Sequence, residues 1–401
     1  MAMSARTLNE ANHHDSKLSI NKKLMPISKM AIKADRELLF PIYDVKGNLL
    51  IEKGVTLDQV QILKIAEKGS LFTLKNDLLM AMNKIRGAVD EEDGPEVYKA
   101  KTPFGILHIM EQQLENIYRQ PDDPFTLSNL LGAAGRVQTV CENWPDAVLA
   151  KIFIDDKSNY TMQHSIHAAI LCELVTRSLH WQPEKRRQLI GAALTMNISL
   201  GFKQDQWQSQ REPLSEKDRT QLQRHPIESA KLLAQIGIED IAWLEYVSAH
   251  HEELDGTGYP IGFSGDDMSK GSKILRMADT YGAKISGRHY RKGITPSTAA
   301  KQFFGESEEK ISKELTAVFL KSVGLYPPGS VVELVSRELA IVTKRGKKIT
   351  SPIVRCIANS QNQRLGIPIT RNTEQGPYKI TKTTELPPNF GPLDIDKLWG
   401  F

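Results

Sequence analysis

Three cysteines in 401 residues, Cys141, Cys172 and Cys356, are too few and too far apart for a disulfide framework or a thiolate zinc site, and they read as reduced, buried thiols. No apolar run approaches the roughly 18 residues of a membrane-crossing helix. The polar opening, residues 1–25, lacks the apolar core of a signal peptide and is expected to be a disordered leader, so that His13-His14-Asp15 within it has no fold to orient it toward a metal. Charge of one sign is scarce as well. The net charge is only +4, with Lys and Arg interspersed among Asp and Glu, which excludes a general nucleic-acid surface and leaves small anionic ligands open. Internal repeats are absent. What is present, 40% hydrophobic and 25% charged residues, suits a cytosolic protein with a full core and room for two or three domains.

The patterning predicts a mainly α chain flanked by smaller modules. Residues 26–90 read as an α+β module, with strands around Ile42-Tyr43 and Leu49-Leu50-Ile51, and a helix over 56–67 with Val60 and Leu63, and Leu57 as a further candidate, at helical spacing after a Thr56 N-cap. Asp90-Glu91-Glu92-Asp93-Gly94-Pro95 is a linker candidate. Residues 100–322 read as an all-α domain with short connections. Residues 323–373 form a β-rich extension, with runs at 331–334, 339–343 and 353–358 separated by Gly and Lys turns, and 374–401 is a Pro- and Thr-rich extended tail.

Within the helical region several polar side chains fall on apolar faces. His164 aligns with Ala168, Leu171 and Val175, and is either a hydrogen-bonded core histidine or a ligand. Asn197 follows Ile190, Ala193 and Leu194 on a similar face. His225 precedes Pro226, which places it at a junction between a helix begun near Ser215 and another begun at Pro226, facing inward or capping the second. His250 and His251 are adjacent, about 100° apart around a helix, so both rings reach one pocket only at a helix end, which Asp255-Gly256 supplies. Asp279 sits on a mostly buried helix and must meet a metal, an imidazolium or an arginine. Arg288 and Arg291 are the nearest basic candidates and suit bidentate phosphate binding if they are not ordinary surface residues.

The run His250-His251-Glu252-Glu253-Leu254-Asp255-Gly256-Thr257-Gly258-Tyr259-Pro260, with Ala278-Asp279 and Arg288-His289-Tyr290-Arg291 after it, resembles the HD-GYP family of the HD phosphohydrolase superfamily. The resemblance covers about 159–304 and implies an all-α HD-type domain. Active members linearise cyclic di-GMP at a di-metal centre, and their metal ligands would fall on His164, His225, His250, His251 and Asp279. The two residues that name the family are replaced: Met196-Asn197 stand where His-Asp is expected, and Leu200 where a lysine is expected, inside a matching Ala192-Ala193-Leu194 and Ile198 frame.

Two dications about 3.5 to 4 Å apart need a bridging anion. Asn197 is neutral and Met196 offers only a soft thioether, so the site left with His164 and Asp279 is expected to be largely empty. His225, His250 and His251 remain as a set able to take one divalent ion, Fe, Zn or Mn. The loop residues Asp255, Gly256, Gly258, Tyr259 and Pro260 either serve the turn itself or, as the resemblance implies, dock a diguanylate cyclase or other signalling domain through an exposed Tyr259. These residues are compatible with a catalytically impaired member that binds cyclic di-GMP or a partner, with a hydrolase of cyclic di-GMP or another phosphoester working through a mononuclear site, and with an interaction module that binds neither metal nor nucleotide.

Overall fold

The computed structural model describes residues 24–27, 32, 34–66, 69–74, 77, 102–154, 159–210, 212–286, 294–305, 312–387 and 389–401. The expected leader therefore lies outside the described residues except for Leu24 and Met25, which open the first strand. The acidic linker candidate at 90–95 lies outside them too. By contact the chain divides into two units, one of Met1–Glu96 with Arg119–Leu131 and Leu233–Glu239, the other of Val97–Tyr118, Gly132–Leu232 and Asp240–Phe401.

In the first unit β1 (Leu24–Ile27), β2 (Ile42–Tyr43), β3 (Leu49–Ile51) and β4 (Leu71–Leu74) form an antiparallel sheet in the order β1-β4-β2-β3. The β2–β3 turn is built by Asp44, whose carboxylate accepts from the Lys46 and Asn48 amides at 2.9 and 2.8 Å. Helix α1 (Gln59–Ala66) corrects the expected stripe at two of its positions, because Val60 and Leu63 are 58% and 56% exposed, while the further candidate Leu57 is buried together with Ile62. The cause is the start signal. Asp58 and Gln61 exchange reciprocal side-chain to amide bonds of 2.7 and 2.9 Å, a capping box that begins the helix later than Thr56 and turns Ile62 and Ile65 toward the sheet.

The second unit carries α2 (Pro103–Arg119), α3 (Thr126–Asn143), α4 (Pro145–Ile154), α5 (Tyr160–Ser178), α6 (Pro183–Thr195), α7 (Lys203–Ser209), α8 (Glu216–Ile236), α9 (Ile241–Ala249), α10 (Lys270–Ser286), α11 (Pro296–Gly305) and α12 (Lys313–Val323), of which α2, α3 and α8 each extend partly into the first. Helix α5 is the axis. Every residue from Thr161 to Thr176 is buried, including His164, and α6, α10, α12 and α4 pack around it. Helices α6 and α9 approach closely at Gly191, where a Cβ would lie 2.2 Å from the Trp243 ring, and the Trp243 indole donates to Thr195 Oγ1 at 3.0 Å. The end of α6 is thereby clamped just before Met196 and Asn197.

Strands β5 (Val331–Leu334), β6 (Leu339–Lys344), β7 (Ile353–Ala358), β8 (Arg364–Asn372) and β9 (Ile380–Thr383) make an antiparallel sheet in the order β8-β7-β6-β5-β9. The segment 374–401 is not simply extended. It supplies β9, which pairs with β5, and α13 (Ile395–Trp399), whose Leu398 is buried with Leu339, Ile341 and Ile357. A four-residue strand such as Ile380–Thr383 has little periodicity of its own, and the open edge of β5 is what orders it. All three cysteines are free and buried. Among the described residues no helix is long and apolar enough to cross a membrane.

Candidate metal centre

His225 does not stand at a helix junction. Helix α8 runs through Pro226 without a break. A proline inside a helix lacks the N–H that would bond the carbonyl four residues back, here Leu222. That carbonyl instead accepts a hydrogen bond from His225 Nδ1. His250 obtains a similar partner by another route: α9 ends at Ala249, His250 is its C-cap, and His250 Nδ1 donates to the orphaned Val247 carbonyl at 2.6 Å. Both rings are thus held in the tautomer that leaves Nε2 bare.

Those two Nε2 atoms lie 3.1 Å apart. With each ring's proton committed to a backbone carbonyl, two lone pairs face each other, an arrangement made favourable only by a cation between them. A proton is a poor candidate, because burial, and then the neighbouring His250, holds His225 far below its ordinary 6.5, down to about 3, and burial lowers His250 as well. A divalent ion with metal–nitrogen bonds of about 2.0 to 2.1 Å sets adjacent ligands about 3.0 Å apart in octahedral and about 3.4 Å in tetrahedral arrangement, and the observed spacing falls in that interval. His251 completes the set: one donor nitrogen from each of His225, His250 and His251 lies within 4.8 Å of the others. Burial, with the neighbouring His250 as the next contribution, also keeps His251 neutral. The residues present fit one metal ion.

The other two expected ligands form a separate pair. His164 Nε2 is 2.8 Å from Asp279 Oδ1, and Asp279 Oδ2 is 3.8 Å from both His251 Nδ1 and the Arg276 guanidinium. Burial by itself would raise the Asp279 carboxyl, but the His164 hydrogen bond and the His251 and His164 rings outweigh it and hold the group well below the usual carboxylate range. Tyr160 stacks on His164 at 5.2 Å. Met196 and Asn197 are buried at 0% and 1% exposure, and among the described residues neither Oδ1 nor Nδ2 of Asn197 has a hydrogen-bond partner. The turn that carries them is tied to α8, since Ser199 Oγ donates to the His225 carbonyl at 3.1 Å and its amide bonds Ser229 Oγ at 3.2 Å. Leu200 is buried in the same turn. Arg288 and Arg291 lie outside the described residues. The cation that does face Asp279 is Arg276, which sequence reasoning passed over although its i, i+3 spacing to Asp279 on α10 was a readable signal.

The fully buried Glu252 carboxylate accepts from the amides of Ile261, Gly262 and Phe263 at 2.7, 2.9 and 3.0 Å and so pins the loop to the end of α9. One further expectation is corrected. Tyr259 is only partly exposed, because its ring stacks on His251 at 4.7 Å, and it is Asp255, Thr257 and Ile261 that face outward. Gly258 is required by close approach, since a Cβ there would lie 2.4 Å from the Glu253 amide nitrogen, and Gly256 holds φ +75°.

Two expected results test this geometry. Pro226→Ala restores an N–H that competes with His225 Nδ1 for the Leu222 carbonyl. Zinc affinity measured by competition with a chromophoric chelator should fall about tenfold while the helix content is kept, and an unchanged affinity would dismiss the proline's role. The second concerns pH. The folded pKa of His225, near 3, lies below the ordinary 6.5, so the unfolded chain binds more protons across that interval; the stability is complete above about pH 6.5 and is lost as pH falls toward 3. Melting midpoints of chelator-treated protein should drop through this window and drop less in His225→Gln, whereas a flat profile contradicts the neutral buried ring.

Residues 148–315 match the family model described as HD domain. Over 220 residues, 55% of this chain and 53% of the relative, the sequence is 26% identical to a cyclic di-GMP phosphodiesterase of Pseudomonas aeruginosa. It is 25% identical over 235 residues, 57% of this chain and 62% of the relative, to the cyclic di-GMP phosphodiesterase PdeB of Borreliella burgdorferi. It is 30% identical over 149 residues, 37% of this chain and 34% of the relative, to the 3'3'-cGAMP-specific phosphodiesterase 1 of Vibrio cholerae. The chain thus spans about half to three fifths of the length of the first two relatives, and about a third of the last. Among solved structures it resembles an HDG"Y"P protein from Bdellovibrio bacteriovorus, with a TM-score of 0.47, 18% identity, and coverage of 74% of this chain and 98% of that one.

Proposed function

The helical domain of this chain belongs to the HD-GYP family, and from that premise we propose that it is a catalytically impaired member, which holds one divalent ion on His225, His250 and His251 and acts in cyclic di-GMP signalling by binding a ligand or partner rather than by turnover. One observation carries the reading. Where a second ion would need an anionic bridge, the chain buries the neutral Asn197 and the thioether of Met196. Two dications at about 4 Å repel by about 4 kcal/mol per unit charge product at an effective dielectric of 20, and an amide oxygen carries no charge to offset this. His164 and Asp279 satisfy each other instead.

The ion at the three-histidine set supplies Lewis acidity toward a phosphoryl oxygen when bound. The chain's own groups do the rest. The Leu222 and Val247 carbonyls orient two of the imidazoles, the stacked Tyr259 and the Glu252-pinned loop cover His251, and Arg276 sets positive charge next to Asp279. The outward-facing Asp255, Thr257 and Ile261 are the part of the loop available to a signalling domain.

The second reading is a slow hydrolase of cyclic di-GMP or another phosphoester working through the same single ion, and the intact three-imidazole set favours it. Equilibrium binding and hydrolysis of cyclic di-GMP, measured side by side on iron-, zinc- and manganese-loaded protein with metal content quantified, separate the two. Binding with about one metal equivalent and turnover near background supports the impaired member. Brisk cleavage with two equivalents refutes it.

A further inference from the structure

Strand β8 does not follow β7 residue for residue. Ile369 stands opposite Cys356 and Arg364 opposite Ala358, so the stretch from Leu365 to Pro368 faces Ile357 alone. The surplus backbone bows out at the edge of the sheet, where Pro368, with no N–H to give to a ladder, is at home. Helix α13 closes over the same end, burying Leu398 with Ile357. Between the bulge and the 393–398 segment lies a cavity of about 390 Å³, a volume in the range of small-molecule sites. None of the three histidines of the metal set lines it.

Its apolar wall is Leu365, Pro368 and Leu393, all half-buried and so still offering surface to a ligand. Three charged side chains line it as well. Arg364 is committed, since it donates to the Phe390 and Pro392 carbonyls at 3.0 and 2.9 Å and lies over the Phe390 ring. Asp394 and Lys397 are exposed and differently placed. Asp394 caps α13 by accepting from the Lys397 amide at 3.1 Å through Oδ1, which fixes the carboxylate and leaves Oδ2 open. The Lys397 backbone is fixed too, because the Arg355 guanidinium donates to its carbonyl at 3.0 Å, while its ammonium has no ion-pair partner among the described residues. A plain carboxylate ligand would satisfy Lys397 and be repelled by Asp394, and a plain amine would do the reverse. Positions one helical turn apart, with Cβ atoms about 5 to 6 Å from each other, suit a ligand that carries both signs of charge on one carbon.

We propose that this cavity binds a free apolar α-amino acid, its carboxylate held by Lys397, its ammonium by Asp394 Oδ2, and its side chain laid over Leu365, Pro368 and Leu393. Each feature of such a ligand answers one uncommitted feature of the lining. The site belongs to the C-terminal sheet and uses neither the ion nor the loop after α9.

The probe is L-leucine, titrated calorimetrically into the full chain after metal removal so that chelation of an ion does not contribute. N-acetyl-L-leucine lacks its positive charge, L-leucinamide its negative charge and glycine its side chain. Leucine should bind at least about tenfold tighter than any of the three. Lys397→Ala and Asp394→Asn should each weaken leucine at least about fivefold, and Asn keeps the helix cap while removing the charge. Gly366→Phe should abolish binding by filling the cavity that residue 366 lines, and the variant should fold, because a Cβ there meets no atom within 4 Å. Lys379→Ala, exposed and outside the lining, should leave the affinity unchanged. No binding of leucine, equal binding of the acetylated or amidated compound, or full affinity in Lys397→Ala overturns the proposal. The comparison of compounds on the unaltered protein tests it without any variant.

Discussion

The paired change Met196→His with Asn197→Asp is expected to raise bound metal from about one equivalent to two and to increase cyclic di-GMP hydrolysis by at least about 10²-fold. The frame for such a repair is intact. Thr195 is fixed by the Trp243 indole, Gly191 lets α9 press against α6, and Ser199 ties the turn to His225, so new side chains at 196 and 197 would be delivered from a held backbone. The Asn197 side chain has no hydrogen-bond partner among the described residues, so its replacement by a carboxylate breaks no existing side-chain bond. A buried carboxylate is costly unless it meets cations, which makes metal loading the condition for the variant's stability. The variant without metal should therefore melt lower than the native chain and with metal higher. If metal content and turnover both stay where they were, the absence of the His-Asp pair is not what limits this domain. Adding Leu200→Lys should increase turnover further through an added cation for phosphate.

The second large effect is expected from His250→Ala. Ligand bound only by the folded state stabilises it by RT ln(1 + [L]/Kd), about 2.7 kcal/mol at a metal concentration of about 100 Kd. Removing one of three neutral donors should weaken zinc at least about 10²-fold and erase nearly all of that gain, so the zinc-induced rise in melting midpoint should vanish. The metal-free melts carry a second signature. The bare nitrogens of His225 and His250 face each other at 3.1 Å, and deleting one ring removes that repulsion while leaving a cavity, so the metal-free variant should lose less stability than truncation of a buried side chain of this size ordinarily costs. A zinc response that survives in the variant would move the metal elsewhere.

Much of the architecture was readable because it rests on local signals. The central helix and the strands at 331–334 and 353–358 are set by periodicity and turn chemistry, and those are encoded within a few residues, whereas the helix end expected at Asp255-Gly256 falls earlier, at Ala249. The misreadings share a cause. Pro226 reads as a boundary because nothing nearby in sequence shows that the carbonyl it releases would be taken by the adjacent imidazole. Val60 and Leu63 read as the helix's apolar stripe because the true helix start depends on the side chains of Asp58 and Gln61. Strand β9 needs a partner edge some fifty residues back, Tyr259 turns inward because His251 offers a ring face, and Arg276 counts only once Asp279 is seen to be buried beside it.

The residue inventory by itself determined that imidazoles, a lone carboxylate and a glycine loop are available, and that the positions at 196 and 197 carry no charge, because chemical identity does not depend on folding. Tertiary structure alone decided which of these atoms meet. Grouping His225 with His250 and His251, and leaving His164 to Asp279, required α5, α8, α9 and α10 to converge, and the tautomers that expose two Nε2 atoms required carbonyls freed by a proline in one helix and by the end of another.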